Sequence, residues 1–365
     1  MIVSSRMQTL IRLLTAASTP TPRTRQQLVD EINASPGVLW KASVQPRFAG
    51  SPIGASKNSL GSIPLSDAAI LLGVAAGTHT RPSAAVLAAI VASDIPASFD
   101  SAANWPECVE VIGDIRDQSD CGCCWAFAAA EAASDRLCIF SKGAIKVPLS
   151  AQDVCFCDSS AGCNGGTVDQ GWAKIQSAGV VTGGQYNSSG TFGSGWCSDY
   201  SLPHCHHHGP VGSDPYPAEG TSGCPKPSTS PICPTTCGAQ SQRTFDTDKY
   251  TFNGTVYLYG NGGEGPIQTA IMNQGPVEAS FSVYADFENY ASGIYHHVTG
   301  TTLGGHAIRI VGWGVDGGTK YWKVANSWNP YWGENGYFRI LRGTNECFIE
   351  SNVCANGPTA TWGKM

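Results

Sequence analysis

The run Asp117-Gln118-Ser119-Asp120-Cys121-Gly122-Cys123-Cys124-Trp125-Ala126-Phe127 opens onto an alanine-rich stretch, which places Cys124 where a helix begins and Gln118 six residues before it. That arrangement is how a thiol becomes a nucleophile. A free cysteine titrates near pH 8.5, so at about pH 5 only about one in 3,000 is thiolate, whereas a helix N-terminus and an imidazolium partner bring the pKa to about 4. Such a nucleophile needs a histidine, and an amide to orient it, from elsewhere in the chain. Gly305-His306-Ala307 and Ala325-Asn326-Ser327-Trp328 supply both, far downstream. The chemistry expected of this constellation is thiol-dependent hydrolysis.

The elements that must position these residues are set by composition and texture. With 365 residues, 42% of them hydrophobic, the chain can bury a sizeable core as two domains or one two-lobed unit with extensions. A net charge of -6 leaves little basis for a nucleic-acid footprint. No run of about 18 apolar residues is present to span a membrane. Fifteen cysteines, most of them between Cys108 and Cys237, and glycosylation sequons at Asn33, Asn187 and Asn253 point to an oxidising secretory compartment. An odd cysteine total leaves at least one thiol unpaired. Residues 1–18 read as a signal-peptide-like segment, with Arg6 flanking the short apolar stretch Leu10 to Ala17 that Arg12 interrupts.

Residues 19–94 are rich in Ser, Ala, Pro and Gly, lack cysteine, and offer short helical patterns at Arg25 to Asn33 and Ala84 to Val91. From Ile95 the texture changes, and a helix is expected from about Cys124 to Phe140. The stretch Gly183 to Gln242 shows no sustained period and reads as a long cross-linked loop region. Beyond Tyr250, short alternating runs at Val256 to Tyr259, Val277 to Val283, Ala307 to Val311, Tyr321 to Val324 and Tyr337 to Leu341 read as strands of a barrel or curled sheet. The Gly-rich piece Gly260 to Gly265 lacks the context of a phosphate-binding loop and reads as a turn.

Taken together, Gln118, Cys121-Gly122-Cys123-Cys124-Trp125, Cys163-Asn164-Gly165-Gly166, Gly304-Gly305-His306-Ala307 and Asn326-Ser327-Trp328 resemble a papain-family cysteine protease, and its cathepsin B branch best of all. His306 lies about 180 residues after Cys124, beyond the family's usual spacing of about 130 to 150. The excess falls in an insertion around 205–224 that resembles the occluding loop of cathepsin B. The resemblance covers roughly Ile95 to Trp362. It implies an α+β, two-lobed papain-like fold, with a helical lobe carrying Cys124 and a β-barrel lobe carrying His306 within 95–365. It needs no cofactor.

Carried over by motif, Cys124 attacks the peptide carbonyl, His306 delivers the proton to the leaving amine, and Asn326 orients the imidazole. Gln118 and the Cys124 amide form the oxyanion hole, where one donor is worth about 3 kcal/mol. Trp328 would shield the His306 to Asn326 bond. Gly165 and Gly166 resemble the strand where substrate backbone pairs with the cleft. Val168, Ser280 and Ala307 would line the S2 pocket with Asn352 at its floor, where cathepsin B commonly has Glu, so apolar or aromatic side chains are expected over Arg.

His207 and His208 match the paired histidines that bind a substrate's C-terminal carboxylate and give dipeptide removal from that end. Asp117 matches the partner that tethers the loop through one of them. The loop's second tether is absent, with Tyr331 at the acidic position, so opening and endopeptidase cleavage are expected. The competing reading of His204-Cys205-His206-His207-His208 is a metal site, disfavoured because adjacent residues rarely face one centre; no metal is expected. The family frame implies disulfides Cys108 with Cys138, Cys121 with Cys163, Cys155 with Cys233, Cys197 with Cys237 and Cys205 with Cys224. It leaves Cys123, Cys157, Cys347 and Cys354 without partners. Cys123 would then be an inert buried side chain, a thiol disulfide-bonded elsewhere, or an oxidation-sensitive neighbour of the nucleophile.

The leader, with Glu31-Ile32-Asn33 and Leu39-Trp40-Lys41-Ala42, resembles a cathepsin B propeptide that lies through the cleft until removed near Ser93 to Ile95. The expectation is a monomeric zymogen acting on peptides and proteins, with cystatin-type inhibitors as candidate partners. It would work in a lysosome-like acidic compartment or outside the cell, reached through the secretory pathway. The alternative is a catalytically impaired homologue that binds peptides or inhibitors.

Overall fold

The computed structural model describes residues 23–83, 95–157, 162–188, 190–205, 224, 229–260 and 263–365. The helical pattern expected at Ala84 to Val91 and the residues His206, His207 and His208 lie outside them.

The leader begins with helix α1 (Arg25–Ala34), whose N-terminus is fixed by a capping box: the Thr24 hydroxyl accepts from the Gln27 N–H while the Gln27 side chain accepts from the Thr24 N–H. Strand β1 (Trp40–Ala42), helix α2 (Asp67–Ala75) and strand β2 (His79–Thr80) follow. In the first half of the remaining chain, α3 (Cys124–Phe140) is the central helix. Its alanines favour the helix and their small volume lets neighbours approach from every side, so almost its whole length is buried. Helix α4 (Val168–Ala178) is started by a second capping box, between Thr167 and Gln170.

The second half adds helix α5 (Glu264–Gln274) and strands β3 (Val256–Leu258), β4 (Val277–Tyr284), β5 (Tyr290–Tyr295), β6 (Thr302–Asp316), β7 (Thr319–Ala325), β8 (Tyr337–Leu341) and β9 (Asn352–Asn356). These form one sheet in the order β1-β5-β8-β7-β6-β4-β9-β3-β2, with Phe99–Asp100 pairing β6 off that path. Both end strands of this order come from the leader. Buried Arg309 on β6 ties sheet to helix: its Nη1 donates to Asp135 of α3 at 2.6 Å and its Nη2 to the Asp114 carbonyl at 2.9 Å. Leu28, Ile32, Trp40 and Phe48 of the leader enter the same hydrophobic core as Trp172, Trp322, Trp328 and Trp332.

Six disulfides are present among the described residues. Cys108–Cys138, Cys121–Cys163, Cys197–Cys237 and Cys205–Cys224 pair as the family frame implies. The expected Cys155–Cys233 bond is not formed: Cys155 pairs with Cys123 and Cys233 pairs with Cys157. The reason is helical geometry. Cys155 lies in the helix Ala151–Phe156 and Cys157 caps its end, so two residues of separation turn their side chains about 200° apart. Cys155 faces inward to the start of α3, where Cys123 precedes the nucleophile with Cα atoms 6.0 Å apart, and Cys157 faces Cys233 with Cα atoms 4.7 Å apart. Cys123 and Cys157, expected without partners, are thus bonded, while Cys124, Cys347 and Cys354 are free and buried.

Candidate active site

Cys124 is the first residue of α3, and nothing caps that terminus with a side chain, so its unsatisfied N–H groups face the sulfur's end of the helix. The opposing group comes from the middle of the sheet. Pairing of β4 with β6 sets Phe281 opposite His306 and Ser280 opposite Ala307. The backbone N–H of Ala307, the residue after His306, hydrogen-bonds the Cys124 sulfur, which brings the two halves of the chain together at this point.

His306 Nε2 is 2.8 Å from Asn326 Oδ1, and the same oxygen accepts the Ser327 N–H at 2.8 Å. That contact leaves Nδ1 as the nitrogen without a hydrogen-bond partner. The indole of Trp328 lies over the imidazole with ring centroids 5.0 Å apart, and both residues are fully buried. Gln118 is held from three sides. Its N–H donates to the Ser327 carbonyl at 3.0 Å, its own carbonyl accepts from the Tyr200 hydroxyl at 2.8 Å, and Ser327 Oγ donates to its Oε1 at 2.6 Å. With Oε1 occupied, Nε2 is turned toward the cleft. The sequence motif contained Ser327 but gave it no role; here it positions both Gln118 and Asn326.

The cleft is occupied by the leader. The Gly61 N–H donates to Cys124 Sγ at 3.3 Å, and Gln118 Nε2 donates to the Ser59 carbonyl at 2.8 Å. Gly61 and Ile63 exchange backbone bonds with Gly166 at 2.8 and 2.9 Å, and the Ser62 N–H donates to the Gly305 carbonyl at 3.0 Å. Close approach demands glycine: a Cβ on Gly61 would meet the Gly122 carbonyl oxygen at 1.9 Å, and one on Gly165 would meet the Gly61 carbonyl oxygen at 2.6 Å. Ser62 Oγ bonds Ser280 Oγ at 2.8 Å, on the row where Asn352, Ser280 and Ala307 stand opposite one another across β9, β4 and β6. Val168, at the start of α4, is fully buried and its carbonyl accepts from the Cys354 thiol at 3.1 Å.

Burial dominates the electrostatics of this occupied cleft. Desolvation pushes the Cys124 thiol up to about 11, only partly offset by backbone hydrogen bonds from Ala307 and Gly61. Desolvation pushes His306 down to about 4 against the Asn326 hydrogen bond, helped by the nearby Arg47 charge. Between those values both groups are neutral, and the sulfur is a thiol.

Two buried ion pairs anchor the leader, and neither was read from the sequence. Arg47 reaches Asp117 at 3.1 Å and the Ser119 carbonyl at 3.2 Å, with both charged side chains fully buried. Asp117, expected to hold the 205–224 loop, also accepts from the Cys205 N–H and from Asn329 Nδ2. Arg25 donates to Glu288 at 2.9 Å, and the Gly54 and Ser56 N–H groups complete that carboxylate's shell. Arg25 and Arg47 stand in a Ser-, Ala-, Pro- and Gly-rich leader with no pattern that could have announced these contacts. Cys121, Cys123 and Cys155 lie close enough to suggest a metal site, but all three sulfurs are consumed in disulfides.

A cysteine at a helix start thus faces, across a groove, an imidazole oriented by an amide, with a glutamine donor beside them. The chain belongs to the papain family of cysteine proteases: the family pattern described as Papain family cysteine protease matches residues 95–356. Among its relatives it is similar to Cathepsin B-like cysteine proteinase 4 of Caenorhabditis elegans, 48% identical over 283 residues that cover 77% of this chain and 80% of that one. It is 42% identical over 337 residues to a Cathepsin B-like cysteine proteinase of Schistosoma japonicum, covering 90% and 89% of the two chains. The fold matches proCathepsin B S9 from Trypanosoma congolense with a TM-score of 0.72 at 31% identity, covering 93% of this chain and 99% of that one. The expected α+β papain-like fold and the cysteine-type peptidase class both hold.

Proposed function

We propose that the chain is the zymogen of a cathepsin B-like peptidase in which residues 19–94 are an inhibitory propeptide and Cys124, His306, Asn326 and Gln118 carry the chemistry. The observation that carries this reading is the leader backbone lying on the sulfur. It presents Cys124 with the Gly61 N–H, a donor without an electrophilic carbon, and fills the Gln118 donor with a carbonyl two residues earlier.

Once that segment leaves, water and substrate relieve the desolvation and the proton passes from Cys124 to His306 Nδ1. The thiolate attacks the scissile carbonyl carbon, and the oxyanion takes the Gln118 Nε2 bond that Ser59 held. The imidazolium protonates the leaving amine as the C–N bond breaks, leaving a thioester on Cys124. A water deprotonated by His306 then attacks the thioester, releasing the acid and restoring the thiol.

The S2 row of Val168, Ser280, Ala307 and Asn352 carries no anionic side chain, which favours apolar or aromatic P2 residues over Arg, and Gly165 and Gly166 supply the pairing edge. His207 and His208 are assigned to the C-terminal carboxylate of substrates for dipeptide removal, beside endopeptidase cleavage. No helix among the described residues is long and apolar enough to cross a membrane. The six disulfides favour an oxidising secretory route; the assigned destination is a lysosome-like acidic compartment or the extracellular space, with protein substrates and cystatin-type inhibitors as partners.

The test is turnover of a dipeptide fluorogenic substrate in mildly acidic buffer before and after removal of residues 19–94. Activity should appear on processing, vanish with an epoxide thiol inhibitor, and be lost in Cys124→Ala. Turnover insensitive to both would refute the assignment. Comparing substrates with free and amidated C-termini then tests the histidine clamp, since equal rates would remove it.

A further inference from the structure

Both end strands of the sheet belong to the leader, so its removal opens two backbone edges. The edge of β3 lies away from the sulfur, on the far side of β9 and β4. There β2 pairs in parallel, with His79 opposite Val256 and Thr80 opposite Tyr257, and the Val256 N–H donates to the Thr78 carbonyl at 3.1 Å. Three side chains make the contact specific. His79 Nε2 meets Asp169 Oδ2 at 2.9 Å with both side chains largely buried, and Thr80 Oγ1 meets Thr255 Oγ1 at 2.6 Å. Pro82 lies against Tyr257, Tyr259, Pro266 and Ala270 as one wall of a recess of about 100 Å³. The occupant is read through one strand of backbone, one histidine and one proline.

We propose that processing uncovers a second peptide-binding site at the β3 edge, which takes an extended segment of a protein substrate bearing a histidine, or another side chain that donates a hydrogen bond to the Asp169 carboxylate, and a proline three residues on. This rests on the reading of residues 19–94 as a propeptide. The leader segment shows the mode of binding: strand addition supplies affinity through the main chain, and the Asp169 carboxylate and the aromatic recess supply selectivity. Asp169 follows Val168 at the start of α4, the same helix terminus that abuts the S2 row, so a protein whose scissile bond sits over Cys124 can reach this edge with an upstream segment. Occupying both sites raises the effective concentration of the bond at the sulfur, so cleavage of proteins gains where cleavage of dipeptides does not.

The test uses the full chain after processing, with Cys124 blocked by an epoxide inhibitor and a fluorescent peptide of residues 76–83 followed by anisotropy. Saturable binding is expected to the processed enzyme but not to the unprocessed chain, whose edge is filled. Binding should weaken about tenfold in Asp169→Asn and equally for the peptide with His79→Ala, the loss of a charge-assisted hydrogen bond. The peptide variant leaves the enzyme's folding untouched. Asp169→Asn should keep kcat/KM on a dipeptide substrate while raising KM for a substrate that carries the 76–83 segment on a linker. Absence of saturable binding, or binding indifferent to both substitutions, overturns the proposal. Failure of processing to release dipeptide turnover instead sinks the propeptide reading, and the two failures are seen in separate measurements.

Discussion

At the scale of residues, the state of the sulfur is set by what covers it. Burial lifts the Cys124 thiol to about 11 and drops His306 to about 4, so at every pH between them the covered pair is uncharged. Alkylation of Cys124 by iodoacetamide in the full chain should therefore be slow and flat through acid and neutral pH, whereas the processed enzyme should label in acid; mass spectrometry of the Cys124 peptide reads both. Gly61→Ala should weaken inhibition by the propeptide about tenfold or more, because its Cβ would drive into the Gly122 carbonyl, an overpacking cost of about 1–3 kcal/mol. Inhibition of the processed enzyme by added wild-type and variant propeptide measures it. Cys124, His306, Asn326 and Gln118 were legible because each sits in a short motif whose neighbours fix its backbone. Ser327 and Arg47 were not, since their partners are 209 and 70 residues away and only the folded chain brings them together.

At the scale of elements, α3 and the five strand runs beyond Tyr250 were readable from alanine content and alternation. Helices α2 and α5 were not, one set in a Ser-, Ala-, Pro- and Gly-rich stretch and the other starting at Glu264 and Gly265, inside the piece Gly260 to Gly265 that reads as a turn. The disulfide frame failed at one place for a related reason: pairing depends on which face of the Ala151–Phe156 helix each sulfur takes, and spacing alone does not give it. Proteolytic mapping under non-reducing conditions should return Cys123–Cys155 and Cys157–Cys233 peptides; a Cys155–Cys233 peptide would contradict the structure. Two buried ion pairs tie the leader to the rest of the chain. Arg47→Ala strips Asp117 of its buried cation and should weaken propeptide binding by about 3 kcal/mol, seen as earlier activation and a higher inhibition constant.

At the scale of the whole molecule, pH acts on the hold of the leader only through groups whose proton count differs between covered and open forms. The Cys124 to His306 pair holds one proton whether it is thiol with imidazole or thiolate with imidazolium, so it contributes little to this dependence. Carboxylates that bridge leader and peptidase do contribute. Burial alone would raise Asp169, but the His79 and Thr167 hydrogen bonds outweigh it and hold it below its ordinary value. The Thr299 and Arg23 hydrogen bonds likewise lower Glu31. A depressed carboxylate stabilises the covered form above its ordinary pKa, and that stability is lost as pH falls through the depressed one. Propeptide release should accelerate as pH falls through the carboxylate range, and Asp169→Asn should flatten that acceleration; stopped-time assays of activation against pH follow it.

One sulfur decides the activity proposed, covered in the full chain and ionised by the facing imidazole once uncovered. The direct measurement is labelling by an epoxide thiol inhibitor in mild acid, before and after removal of residues 19–94, with the modified residue located by mass spectrometry. The account predicts modification at Cys124 only after removal, and its loss in His306→Ala. Equal labelling before removal, or modification at Cys347 or Cys354 with Cys124 untouched, would contradict it.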